Sequence, residues 1–495
     1  MAKKISSANI SSPTSLQDTL LRYQALLPEA EYSTLAACAV TTASPALRVN
    51  TLKCEVAALD QQLTSKYGWQ FEPIPFCPSG LRPGVESPKL SGTIEHRLGW
   101  YYIQDAASML PPELFDFTGE PRTLILDMAA SPGGKTTHLA SLTADHGLII
   151  ANDASRSRLQ SLRVVLQNWG ALNQAITSYP GEQMGFQFPG VFDAVLLDAP
   201  CSMEGLRASA SHANRSISEG EREQLAQRQA RLLEGALRAV KVGGQVVYST
   251  CSLAPEEDEA VLDDVLTHLP GCFEILPIPI SLTRAASGLT MFGERHYATQ
   301  VQYAARLWPH NYDTAGFFAA LLRKITPLPG ESRTLASNRR IPSQALVPVS
   351  ARQAKVIHTA LVDSFELDLF SVMQEYQCAL YQRGAETWLI PERLGELPDM
   401  AWSSAGMMLG KPLPGGWLPS HEFAARFECL TQHGKVSLPA EFLPAWLEGR
   451  DAHGFTPANI SSGAIVLVYD ENGRYIGRGK ALNGRLRNLL PARIF

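Results

Sequence analysis

Between Pro121 and Lys324 short apolar strands alternate with longer helical runs, and no other feature limits the fold as strongly. The strands read as 123–127, 147–153, 192–198 and 244–250, with a short one near 175–178; the helices read as 135–142, 155–169 and 218–240. Strands this apolar are buried on both faces, and helical crossovers return the chain in the same direction. The pattern therefore predicts an α/β fold with a mostly parallel, doubly wound sheet. Ligands of such sheets bind at the carboxyl ends of the strands, so the residues just after each strand carry the chemistry.

The first such segment is Asp127-Met128-Ala129-Ala130-Ser131-Pro132-Gly133-Gly134-Lys135-Thr136, between a strand and a helix. Glycines there let backbone approach a ligand, and a helix N-terminus favours negative charge. Three readings stay open on these residues. Gly134-Lys135-Thr136 ends like a phosphate-binding loop, although Ala129 stands where its leading glycine belongs and Pro132 interrupts it. A loop holding S-adenosylmethionine is the second reading, and a tight turn without a ligand the third. Asp153 ends the next strand about twenty residues beyond the glycines, where an acid commonly accepts hydrogen bonds from a ribose. It can equally cap the helix that opens at Ser155.

Asp198-Ala199-Pro200-Cys201 follows the fourth strand and Ser249-Thr250-Cys251-Ser252 the fifth. A lone cysteine is usually a small buried hydrophobe. Two thiols just past adjacent strand ends, on the face that carries the glycine loop, point to nucleophilic chemistry. Carbon 5 of a pyrimidine is too poor a nucleophile to take a methyl group unaided. Adding a thiolate to carbon 6 makes it enamine-like, and an acid such as Asp198 near the ring nitrogen stabilises the developing electron density. A second thiol can then assist release or position the base.

These motifs resemble the RNA cytosine-C5 methyltransferase family, which carries a Pro-Cys after the fourth strand and a Thr-Cys after the fifth. Tyr102-Ile103-Gln104-Asp105-Ala106-Ala107-Ser108-Met109 before the core, and Arg306-Leu307-Trp308-Pro309-His310, Asp313 and Gly316-Phe317-Phe318-Ala319 after it, match as well, so that the resemblance spans about residues 100–325. It implies a Rossmann-like methyltransferase core with S-adenosylmethionine as cofactor. Carried over, Cys251 is the nucleophile and Cys201 the thiol that aids product release. Ala129, Ala130, Ser131, Pro132, Gly133, Gly134, Lys135, Asp153 and Asp198 contact the cofactor, with Asp198 also facing the base. One position departs from the family: after the third strand, where an acid usually meets the adenine, this chain has Tyr179-Pro180-Gly181-Glu182. Either Glu182 substitutes or that contact is lost.

At roughly 150 residues each, the 495 residues suggest about three domains. Residues 1–105 read as a small N-terminal α/β domain that binds RNA, with loops over 73–84. Residues 106–325 form the catalytic domain, 326–425 a linker and a further α/β unit with turn-rich punctuation at 406–410 and 412–416, and 426–495 a terminal domain. The last of these includes a β-hairpin turning at Asn472-Gly473. Its second arm and tail carry Arg474, Arg478, Lys480, Arg485, Arg487 and Arg493, a candidate basic surface. These C-terminal pieces resemble the PUA-like RNA-binding domains of the family branch that methylates small-subunit ribosomal RNA. The expected partner is thus 16S rRNA or the small ribosomal subunit.

Net charge enters here as a constraint: 43 Lys plus Arg against 48 Asp plus Glu leaves −5, which argues against a large non-specific nucleic-acid binder. The eight cysteines (38, 54, 77, 201, 251, 272, 378 and 429) are scattered without a zinc-like spacing. We therefore expect a reduced protein with no metal. With no run near the roughly eighteen apolar residues of a membrane span, and a polar start instead of an apolar leader, the sequence reads as a soluble cytoplasmic monomer.

Overall fold

The computed structural model describes residues 16–84, 89–118, 122–208, 217–279, 282, 284–331 and 346–491. After helices Leu16–Leu21 and Glu29–Ala39 the chain builds an antiparallel sheet of β1 (Ala46–Val49), β2 (Phe71–Ile74), β3 (Cys77–Pro83) and β4 (Tyr101–Gln104), in the order β2-β3-β1-β4. The loop expected over 73–84 is thus mostly a hairpin. Pro73 is tolerated because β2 is the edge strand, and a register shift between Pro73 and Ile74 absorbs it. Gly80 lets β3 pass under Ile74 and Met109; a Cβ there would come within 2.8 Å of the Met109 sulfur.

The central sheet is the expected one. β5 (Leu124–Asp127), β6 (Leu148–Asn152), β7 (Gln174–Thr177), β8 (Phe192–Asp198) and β9 (Val240–Thr250) run parallel in the order β7-β6-β5-β8-β9. The order reverses between β5 and β8, which opens a crevice at their carboxyl ends. Strand Phe317–Lys324 adds antiparallel to β9, and Ser404–Ala405, from far along the chain, adds antiparallel to β7. Helix Leu159–Trp169 forms where its apolar stripe predicts, burying Leu159, Leu162, Leu166 and Trp169. It stops at Gly170, whose φ of 82° is left-handed. Helix Glu219–Ala239 is capped by the Ser218 hydroxyl and ends one residue short of expectation, because Val240 already pairs with Phe192.

Beyond residue 346 lie two five-stranded sheets. The first contains Cys378–Arg383, Glu386–Pro391, Met407–Leu413 and Gly416–Pro419, so the segment expected as turns over 406–416 is largely strand and only Pro414-Gly415 turns. Helix His421–Phe427 runs across the expected division at 425/426. The second sheet holds the expected hairpin, Ile465–Tyr469 against Tyr475–Leu482, with Gly473 left-handed in its turn. Its basic residues divide. Arg474 and Arg478 turn inward and are buried, whereas Arg485 and Arg487 are exposed. Arg493, and the expected linker beyond Glu331, lie outside the described residues. Among the described residues no helix is long and apolar enough to cross a membrane.

Candidate active site

Sheet register alone brings the two candidate thiols together. Asp198 of β8 stands opposite Ser249 of β9, and the Ala199 N–H donates to the Ser249 carbonyl at 2.8 Å. Cys201 and Cys251 lie three and two residues past that rung, with their sulfurs 3.1 Å apart. Two further backbone bonds tie the loops, Leu253 N–H to the Glu204 carbonyl at 3.0 Å and Gly316 N–H to the Gly205 carbonyl at 2.8 Å. Gly205 is required by that approach: a Cβ would meet the carbonyl oxygens of Cys251 and Gly316 at 3.1 Å.

Beneath the thiols sits a carboxylate that the sequence reading missed. Glu257, fully buried, accepts from the Ser202 N–H and from Gln229 Nε2, each at 2.9 Å. Its other oxygen accepts from the Ser252 hydroxyl at 2.9 Å and from the Ser202 hydroxyl. One side chain thereby clamps the residue after each cysteine. Burial raises its pKa although four donors converge on it. In the run Glu256-Glu257-Asp258-Glu259 the last three members are buried, Asp258 and Glu259 against Arg306. Only the partners arriving from other elements show this.

Asp198 and Lys135 form the bridge between the thiols and the glycine loop. Lys135 Nζ donates to Asp198 Oδ2 at 2.7 Å, and the Ser249 hydroxyl donates to Oδ1 at 2.9 Å. Burial works against the Lys135 charge, but Asp198, then Cys251 and Asp127, hold its pKa above the ordinary lysine value. The hydrogen bond to Cys251, and then burial, push the Cys201 thiol well above the usual range. Cys201 is thus the member of the pair that keeps its proton.

The loop from Ala129 to Lys135 runs out of β5 into helix Gly134–Leu142. Ala130 N–H donates to the Asn152 carbonyl at 2.8 Å, and Gly133 is left-handed at φ 118°. Gly134 has a packing role, since a Cβ there would meet the Tyr102 ring at 2.9 Å. Asp153, at the end of β6, is 4% exposed; its carboxylate accepts from Ser131 N–H at 3.3 Å and Ser155 N–H at 2.9 Å, with Arg158 at 3.5 Å. It thereby shapes the loop. Glu182 does not stand free in place of the acid missing at Pro180, because its Oε1 accepts from Arg228 at 3.0 Å.

A methyltransferase crevice, two thiols and a Lys–Asp bridge at one sheet edge suit the known proteins this chain is similar to. Residues 117–323 match the family model described as 16S rRNA methyltransferase RsmB/F, and residues 17–106 the model for the N-terminal domain of 16S rRNA methyltransferase RsmF. A relative from Erwinia tasmaniensis, ribosomal RNA small subunit methyltransferase F, is 31% identical over 476 residues, 94% of each chain. The chain belongs to the RsmB/F methyltransferase family. The enzyme of the same name from Klebsiella pneumoniae is 34% identical, covering 90% of this chain and 89% of its own. A solved methyltransferase homolog from Pyrococcus horikoshii is 33% identical with a TM-score of 0.53, over 62% of this chain and 99% of its own.

RsmB/F membership makes S-adenosylmethionine the cofactor and removes the phosphate-loop reading of Gly134-Lys135-Thr136. Lys135 agrees, being turned onto Asp198. One observation tests whether the residues present fit this group. Asp127 Oδ2 accepts from the Thr136 hydroxyl at 2.6 Å, but Oδ1 is a buried acceptor with no hydrogen-bond partner among the described residues, at the point where β5 enters the loop. Burial pushes this carboxyl up to about 7. A cofactor carrying an ammonium donor supplies what Asp127 lacks.

Proposed function

We propose that this chain methylates carbon 5 of a cytosine in 16S rRNA through a covalent adduct between Cys251 and carbon 6. The observation that carries the reading is the 3.1 Å approach of Cys201 and Cys251 beside the Asp198–Lys135 pair. S-adenosylmethionine, held by the loop Ala129 to Lys135 with Asp127 and Asp153, supplies the methyl group when bound. The target base is extruded from the RNA into the crevice, because carbon 6 cannot be reached in a stack. Cys251 then adds to carbon 6, with the Cys201 sulfur 3.1 Å from its own. The Asp198–Lys135 pair places a proton-bearing group beside the ring nitrogen as electron density builds there. Carbon 5, now enamine-like, accepts the methyl group.

Release requires loss of the proton on carbon 5 and expulsion of Cys251. The largest influence holding the proton on Cys201 is its hydrogen bond to Cys251. Once Cys251 is a thioether that influence falls away, and Cys201, its own proton passed to solvent, takes the carbon 5 proton as the C5–C6 double bond re-forms and Cys251 leaves as thiolate. The N-terminal sheet and the C-terminal sheets, the latter a PUA-like module on this reading, provide the RNA contacts that choose one cytosine, with exposed Arg485 and Arg487 on phosphates. The enzyme acts as a monomer in the cytoplasm, where its rRNA is made.

Transfer of labelled methyl to small subunits and to naked 16S rRNA from cells lacking this activity tests the proposal. Wild type labels one cytosine at carbon 5; Cys251→Ala labels none, and Cys201→Ala accumulates a denaturant-resistant protein–RNA band. Label entering a different atom, or full activity in Cys251→Ala, overturns it.

A further inference from the structure

A second cluster of chemically able side chains lies away from the thiol pair, where the N-terminal sheet meets the helix that follows the glycine loop. Cys77 opens β3, Glu113 ends helix Leu110–Glu113, and His138 lies in the second turn of helix Gly134–Leu142. Cys77 and His138 are buried, and the Glu113 side chain is 10% exposed. Glu113 Oε1 stands 2.9 Å from His138 Nε2, and Cys77 Sγ stands 3.8 Å from the same nitrogen. The three ligand atoms all lie within 4.8 Å of one another.

We propose that Cys77, Glu113 and His138 form a binding site for a divalent ion of the zinc class. The geometry favours an ion over a simple hydrogen-bond relay. Both neighbours approach Nε2, and Nδ1 is buried with no partner among the described residues. Zinc bonds of about 2.0–2.3 Å in a tetrahedral site place the ligand atoms roughly 3.3–3.8 Å apart, close to the 2.9 and 3.8 Å at which Glu113 and Cys77 stand from Nε2. Thiolate, imidazole and carboxylate are together the ligand set of a borderline-soft ion. Ser79 Oγ stands 3.5 Å from the sulfur, and three protein ligands leave the fourth position to water.

Charge and protons balance as follows. Without an ion, Cys77 is a thiol and His138 a neutral imidazole whose Nε2 faces Glu113. On binding, the S–H bond breaks and its proton leaves to solvent, while the imidazole proton moves from Nε2 to Nδ1. Thiolate and carboxylate then neutralise a divalent ion. That neutrality matters because Arg48, buried beside the cluster and donating to the Gly134 carbonyl at 2.9 Å and Thr137 Oγ1 at 2.7 Å, brings a fixed positive charge. A bound ion would fasten β3 to the helix behind the cofactor loop. It takes no part in methyl transfer, so this site stands or falls independently of the reaction proposed above.

The test uses the full-length protein stripped with chelator and then titrated with zinc chloride or cobalt chloride. We expect one zinc per chain by elemental analysis, a rise in Tm with zinc, and a near-ultraviolet thiolate-to-cobalt band with tetrahedral visible absorption. Cys77→Ser and His138→Gln should each lose the stoichiometric metal, and Cys251→Ala should keep it. Absence of stoichiometric zinc and of the cobalt band in wild type overturns the proposal and leaves a hydrogen-bonded network. Loss of metal in Cys251→Ala together with retention in Cys77→Ser overturns it too, moving the metal to the paired thiols. Should either cluster variant fail to fold, the wild-type cobalt spectrum compared with that of Cys251→Ala still decides.

Discussion

Cys201 and Cys251, fifty residues apart, meet because parallel neighbours in one sheet end at the same level; Arg474 and Arg478 lie on a hairpin that looks solvated and are nevertheless buried. In the first region local sequence pattern and final position agree, since strand order converts a motif into a place. In the second they diverge. Arg474 is 4% exposed, with Nε donating to Asp470 at 2.7 Å and Nη1 to Glu95, a fully buried acid that also takes hydrogen bonds from Gln62 and Tyr67, both at 3.0 Å. Arg478 donates to the carbonyls of Pro419 and Leu489. Charge on a strand says nothing about which face finds a partner from several hundred residues away. The lesson is that a topology-driven site survives translation from sequence, and a partner-driven one does not.

The contrast can be broken most forcefully at Arg474. Arg474→Ala leaves Glu95 and Asp470 buried with too few cations, and should cost about 3–5 kcal/mol in urea unfolding; a loss below roughly 0.5 kcal/mol would return this arginine to the surface. Next comes Glu257→Ala, which strips four donors around the cysteine loops of their acceptor. Stability should fall by roughly 2–4 kcal/mol, methyl transfer should fall further than the folded fraction does, and Glu257→Gln should recover part of both.

Asp127 sharpens the comparison through pH. Its folded-state pKa of about 7 lies above the ordinary 3.8, so protonation favours the folded protein. The stabilisation is full below about pH 4 and is lost as pH rises through about 7. Asp127→Asn should flatten the unfolding free energy between those limits in the cofactor-free protein; an unchanged slope would mean that this carboxyl is solvated. The smallest effect is expected at Arg487, exposed on the terminal sheet. Arg487→Ala should change stability by no more than about 0.5 kcal/mol while weakening RNA binding evenly across sequences and reducing its salt dependence, as filter binding at several salt concentrations would record.

Much of the fold was legible because the central sheet writes itself in short apolar runs, and because Asp198, Cys201 and Cys251 follow those runs directly. The Pro- and Gly-rich stretches over 73–84 and 406–416 misled for one physical reason. Proline and glycine punctuate loops, but they also sit on edge strands and where backbones pass closely, as Pro73, Gly80 and Gly410 do here. Glu95 and Glu257 were illegible because a buried acid differs from an exposed one only in its donors, and theirs come from other elements.

From the sequence alone followed the parallel α/β core and the two thiols placed just past adjacent strand ends, since strand period is a local property and parallel neighbours end at the same level. Only the tertiary structure decided which charges are buried, that Lys135 turns onto Asp198, and that Cys77, Glu113 and His138 face one another across three elements. Those outcomes depend on desolvation and on partners distant in the chain, and neither is written in any one segment.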